Sequence, residues 1–173
     1  MPIGDVQIGV PACDVDHLKR HMDWGLEHGA YFLGMGDYVD MSAPSDRGRI
    51  RSANFYDTTA DAILAKAEAD EDAFLEAVNG SAGRWLGLLQ GHHYTAYPDG
   101  TTSDTRLANL LEAPFLGDCA SLRLTLNGSG AGEAVANVLC HHGQGSASTE
   151  AAALNSVMKF GSGYGHPDIV LTG

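Results

Sequence analysis

Cysteine and positive charge are both scarce in this chain, and each shortage removes a class of protein. Cys13, Cys119 and Cys140 are odd in number and widely spaced along 173 residues, which argues against a disulfide framework and a paired-thiolate zinc site and makes reduced thiols the expected state. Ten Lys and Arg stand against 22 Asp and Glu, a net charge of −12, so the broad basic face of a nucleic-acid binder is not expected. No apolar stretch approaches the ~20 residues of a membrane helix. The start, Met1-Pro2-Ile3-Gly4-Asp5, lacks the basic and apolar regions of a secretion signal. No Gly-x-Gly-x-x-Gly follows the first apolar segment, which weakens a dinucleotide-binding reading, and there is no internal repeat, low-complexity tract or linker. With 44% hydrophobic residues the chain can bury a core without staples. One cytoplasmic domain with no membrane association is the expectation.

What is present reads as alternating strands and helices. Ile3–Ile8 is a short strand end, and Val15, Leu18, Met22 and Leu26 have helical spacing, with Asp14 placed to cap and Gly29 to terminate. Residues 30–35 form an apolar run that leads into Gly36-Asp37, which completes a βαβ unit. A long helix opens at Thr58 or Thr59, with a break expected near Asp70, and stops at Asn79-Gly80. Most of Asp61, Glu68, Asp70, Glu71, Asp72 and Glu76 read as its solvated face. Residues 84–89 form another buried strand, 102–112 a helix running up to Pro114, 121–126 and 133–139 a hairpin, 146–160 a helix and 168–171 a last strand.

Four segments place metal-ligand side chains at strand ends: Gly4-Asp5-Val6-Gln7, Gly36-Asp37-Tyr38-Val39-Asp40, Gly91-His92-His93-Tyr94 and Cys140-His141-His142-Gly143. Each alone has a plain reading as a cap, a turn or a packed histidine. As an ordered set they suggest one cleft that gathers carboxylates and imidazoles from several strands, as a two-metal hydrolytic centre does. Asp5 and Asp37 are the strongest candidates, because a preceding glycine lets the backbone approach an ion at the carboxyl edge of a sheet. The neighbours His92 and His93 diverge, so one can ligate while the other serves as acid or phosphate donor. His141 is favoured over His142 as a ligand. Among Arg47, Arg49 and Arg51, one guanidinium could meet a phosphate. Cys140, within an apolar strand, reads as buried and inert. His17, His21, His28 and His166 read as surface or structural.

Taken together, these segments resemble the calcineurin-like metallophosphoesterases, especially the compact phage and bacterial forms, over almost the whole chain. Gly36-Asp37-Tyr38-Val39-Asp40 fits that family's Gly-Asp-x-x-Asp segment without departure. The resemblance implies an α/β fold, a β-sheet sandwich flanked by helices in four layers, α/β/β/α. It implies that Asp5 holds a first metal, Asp37 bridges two, His141 binds the second, and His93 is the acid or transition-state donor. Asp40, Arg47 and His142 are the candidates for contact with the substrate. Gln7 stands where the family has a histidine, and an amide oxygen is a weaker ligand for a transition metal. His92 stands where the family has an asparagine ligand. The family's closing Gly-His-x-His segment has no counterpart in Ile169–Gly173, and the first strand looks short. A fold trimmed at both ends is therefore expected, either as a cut piece or as a reduced member that makes do with fewer ligands or borrows them from a partner segment or a second copy.

The implied activity is hydrolysis of a phosphate ester, from a nucleotide, a nucleic-acid end or a phosphoprotein, by water activated between two divalent cations. Manganese leads, with zinc or iron as the other candidates. The rival reading is a non-catalytic metal- or phosphate-binding domain that has lost its terminal ligands.

Overall fold

The computed structural model describes residues 1–40, 57–128, 132–143, 149–165 and 167–173. It is a mixed α/β protein, with four helices and two sheets among the described residues. The chain forms two compact units, Met1–Gly117 and Asp118–Gly173.

The first unit carries strands β1 (Pro2–Ile3), β2 (Phe32–Gly34), β3 (Trp85–Leu89) and β4 (Phe115–Gly117) in one parallel sheet of order β1-β2-β3-β4. Its helices are α1 (Val15–Glu27), α2 (Asp57–Ala77) and α3 (Ser103–Leu110). The expected cap on α1 forms, with Asp14 accepting from the His17 amide at 2.8 Å, and the helix turns Leu18 and Met22 into the core. Phe32, Tyr38, Phe74, Leu88 and Leu107, all fully buried, form the centre of that core. β1 is shorter than the strand expected over Ile3–Ile8. Ile8 makes only an isolated parallel bridge to Val39.

α2 runs unbroken through Asp70, where the sequence suggested an interruption. Ala67, Phe74, Ala77 and Val78 keep a buried stripe at helical spacing, and Asp70 and Glu71 fall on that same stripe. Asp61, Glu68, Asp72 and Glu76 are exposed as expected, but Asp70 and Glu71 are buried. A buried carboxylate needs partners. Asp70 has Lys66 one turn earlier; Glu71 accepts from the Tyr97 hydroxyl and pairs with Arg106 Nε at 3.4 Å. Burial still pushes the Glu71 carboxyl up, against the opposing pull of Tyr97 and Arg106.

The second unit carries β5 (Cys119–Gly128), β6 (Gly132–His141), α4 (Glu150–Gly163) and β7 (Ile169–Thr172). β5 and β6 form the expected hairpin, and β7 pairs in parallel with β6. Directly paired residues share a face of a sheet. The register therefore lines up Leu122, Leu124 and Leu126 with Val138, Ala136 and Ala134, and Ile169 with Val138. That face is wholly apolar. The opposite face holds Ser121, Arg123, Thr125 and His141, and here α4 packs: the Phe160 ring centre lies 4.7 Å from that of His141.

Candidate functional site

Beyond the last residue of β2 the chain keeps running beside the segment that follows β1. Asp5 N donates to Gly36 O at 3.1 Å, Gln7 N to Asp37 O at 2.9 Å, Ile8 N to Tyr38 O at 3.0 Å, and Asp40 N returns to Ile8 O at 2.8 Å. Asp5, Gln7 and Asp37 sit in left-handed backbone, with φ of 51°, 51° and 53°; among the described non-glycine residues only Glu112 joins them. Each such residue costs on the order of 1–2 kcal/mol, somewhat less for aspartate, whose short side chain tolerates the region. Strain of this kind collects where surrounding structure holds a functional group in place.

Tyr38 fixes the stretch from below. Its ring passes over Gly34, where a Cβ would meet the hydroxyl at 2.4 Å, and its hydroxyl donates to Leu89 O at 2.9 Å. Burial, and after it the nearby Asp104 carboxylate, raise the phenol well above its ordinary value, so it stays a neutral donor.

The Asp37 side chain is only 5% exposed. Its Oδ1 accepts from two successive amides at the exit of β3, His92 N at 2.5 Å and His93 N at 2.9 Å. A carboxylate oxygen of Asp5, itself exposed, lies within 4.8 Å of one of Asp37. His93 Nδ1 lies 2.5 Å from Asp40 Oδ1, and its Nε2 lies 4.0 Å from Asp37 Oδ2. Asp40, expected at the substrate, is thus engaged with the His93 ring and joins the Gly-Asp-x-x-Asp segment to the His-His segment. The His92 side chain is exposed.

The exit loop from β3 is itself pinned. Gly91 N donates to Asp104 Oδ2 at 2.8 Å, Thr95 N to Ser103 Oγ at 3.1 Å, and Tyr97 reaches Glu71. Arg106 lies over the Tyr97 ring, 4.2 Å from its centre. A cleft of about 350 Å³ opens beside Asp5, lined among others by Val6, Cys13, His17, Leu18 and His21. The helix-borne His17 and His21 are exposed, as expected of surface histidines, yet both border this cleft.

Six of the sequence-predicted residues, Asp5, Gln7, Asp37, Asp40, His92 and His93, therefore belong to one region of the first unit. His141 ends β6 and His142 follows it in the second unit; His141 Nδ1 lies 2.7 Å from the Gly143 amide that donates to it. Arg47 lies outside the described residues, as do Arg49, Arg51 and His166. Cys140 is buried in β6, and burial pushes its thiol up, as an inert cysteine requires. Comparison with protein-family models, curated proteins and solved structures finds no match to this chain.

Proposed function

We propose that the first unit builds a divalent-metal centre that hydrolyses phosphate esters, in keeping with the resemblance to calcineurin-like metallophosphoesterases. The observation that carries this reading is the pairing of Asp37 with Asp5. Two carboxylates within 4.8 Å of each other, both held in left-handed backbone and one of them buried, repel unless a cation or proton lies between them. Oxygen donors from Asp5, Asp37 and Gln7, with an imidazole from His92, suit manganese, zinc or iron.

What bound cations supply at such a site is polarisation of the phosphoryl oxygens and a more acidic water. The chain's own residues do the rest. Asp37 Oδ1 is locked by two amides, which fixes the direction of Oδ2. With Asp40 Oδ1 accepting a hydrogen bond from His93 Nδ1–H, Nε2 is the atom that can hand a proton to the leaving oxygen.

The ester class proposed is a nucleotide or nucleic-acid end ahead of a phosphoprotein. No helix among the described residues is long and apolar enough to cross a membrane. The four-layer sandwich belongs to the same proposal, supported by the apolar face of the β5-β6-β7 sheet, which calls for a covering layer.

Metal analysis joined to an assay on bis(p-nitrophenyl) phosphate tests the proposal. Manganese-stimulated hydrolysis that disappears in Asp37→Asn, with bound metal lost in step, is the expected result. At most one bound ion and no turnover would favour the non-catalytic rival.

A further inference from the structure

Three consecutive amides at the end of β3 all donate to buried carboxylates. His92 and His93 give theirs to Asp37, whereas Gly91 gives its own to Asp104, at 2.8 Å. Asp104 is 1% exposed and lies in the first turn of α3, where the helix's partial positive charge favours a carboxylate. Its second oxygen, Oδ1, lies 3.2 Å from Ser103 Oγ, and Ser103 in turn exchanges hydrogen bonds with Thr95: Ser103 N to Thr95 O at 3.0 Å and Thr95 N to Ser103 Oγ at 3.1 Å. The start of α3 thus grips the loop at Gly91 and again at Thr95, on either side of His92 and His93. A first-turn acid on an ordinary helix faces water. This one is turned inward, with one oxygen on the Gly91 amide and the other beside Ser103 Oγ.

We propose that Asp104 is a positioning residue for the Asp37 centre. By fixing the Gly91 peptide, it sets the rotation of the two peptides that follow and so aims both of their N–H groups at Asp37 Oδ1. The hydrogen bonds from those amides then decide how the Asp37 carboxylate is presented. The consequence for metal affinity rests on the metal-centre reading above; the consequence for the two amides does not.

The test compares wild type with Asp104→Ala and Asp104→Ser, which lack an acceptor that can reach Gly91, and with Asp104→Asn, which keeps one. Leu107→Ala, a fully buried position on the same helix, controls for lost packing. Amide hydrogen exchange at His92 and His93 is read by NMR in metal-free protein, and manganese affinity by titration. The expected result is that Ala or Ser speeds exchange at both amides at least tenfold and weakens manganese about 10–100-fold, the range typical of groups that orient a metal ligand. Asn and Leu107→Ala should stay within about threefold of wild type in both readouts, a narrower band than that 10–100-fold loss. Unchanged exchange in the Ala and Ser variants overturns the proposal, as does an equal effect of Leu107→Ala. If neither variant folds, the carboxylate holds the fold rather than aiming the amides, which also overturns it. Wild type that binds no manganese removes the metal-centre reading, while the exchange data still decide the role of Asp104.

Discussion

Replacing Gly91 with alanine should damage fold and candidate site together, because no room exists for even one methyl group. An added Cβ would lie 2.1 Å from Asp37 N, 2.3 Å from Asp37 Oδ1 and 2.9 Å from Asp37 Cα. The first distance falls ~1.4 Å inside the ~3.5 Å of ordinary contact. Two of the three atoms are backbone, so no side-chain rotation relieves the clash, and one of the two segments must move. Overpacking alone costs about 1–3 kcal/mol. A shift that pulls His92 N and His93 N off the carboxylate removes two hydrogen bonds to a charged acceptor, worth about 1.5–3 kcal/mol each. The two costs overlap, since moving apart relieves the first by incurring the second, and about 3 kcal/mol is a fair total. Urea unfolding followed through the fluorescence of Trp85, buried in the first unit's core, is the assay. With a slope of about 1–3 kcal/mol per molar urea, the midpoint should fall by about 1–3 M. A fall smaller than about 0.3 M, equivalent to less than about 1 kcal/mol at the steepest of those slopes, would show that the β3 exit and the Asp37 turn are not in the close contact on which the site argument depends.

Three further outcomes follow from other parts of the molecule. His93→Ala should lower phosphoesterase turnover about 10²–10⁴-fold, the usual share of a general acid, with metal stoichiometry unchanged; turnover within threefold of wild type would remove His93 from the mechanism. Glu71 has a folded-state pKa raised above its ordinary 4.5, so its contribution is fully present below pH 4.5 and is lost as pH rises through the folded value, because the unfolded chain gives up its proton first. The stability of wild type relative to Glu71→Gln, from denaturant melts, should therefore decline as pH rises from 4.5; a difference that grows instead would mean that the Arg106 pair outweighs burial. Gly163→Ala, in the last turn of α4 with nothing within 4 Å of the added Cβ, should stabilise the second unit by about 0.4–1 kcal/mol through loss of unfolded-state freedom, which a thermal melt would detect.

Local signals told most of the fold. Asp14 before α1, the Leu18 and Met22 spacing within it and Gly29 just beyond it are all local signals, so α1 could be read directly, and the β5-β6 hairpin likewise announces itself by two apolar runs around a glycine-rich turn. β4 could not be read. It has three residues, Phe115–Gly117, too few for any periodicity, and it exists because Gln90 N and Leu88 N find acceptors at Gly117 O and Pro114 O. The burial of Glu71 was equally invisible, since Tyr97 and Arg106 lie far along the chain and a carboxylate in a charge run looks solvated until its partners are placed.

The site shows the same division. Gly36-Asp37-Tyr38-Val39-Asp40 marked both carboxylates, and His92-His93 marked the imidazoles. That Asp40 would hold His93 depends on a long-range approach that no motif encodes. Asp104 escaped notice because an acid in the first turn of a helix is ordinary in sequence; only its burial against Gly91 sets it apart.

Gln7 is where strain and chemistry can be separated. It is an amide where the resembling family has histidine, and it sits at φ 51° although glutamine has no preference for that region. The hydrogen bonds from Gln7 N to Asp37 O and from Val10 N to Gln7 O hold it there. Gln7→Gly relieves about 1–2 kcal/mol of backbone strain and adds about 0.5–1 kcal/mol of entropic cost, so stability should rise by no more than about 1.5 kcal/mol. The side-chain amide is meanwhile removed altogether. A manganese affinity that falls tenfold or more at undiminished stability would make Gln7 a ligand in its own right. An unchanged affinity would mean that the left-handed turn serves only to present Asp5 and Asp37, and that the centre works with one donor fewer than the family it resembles.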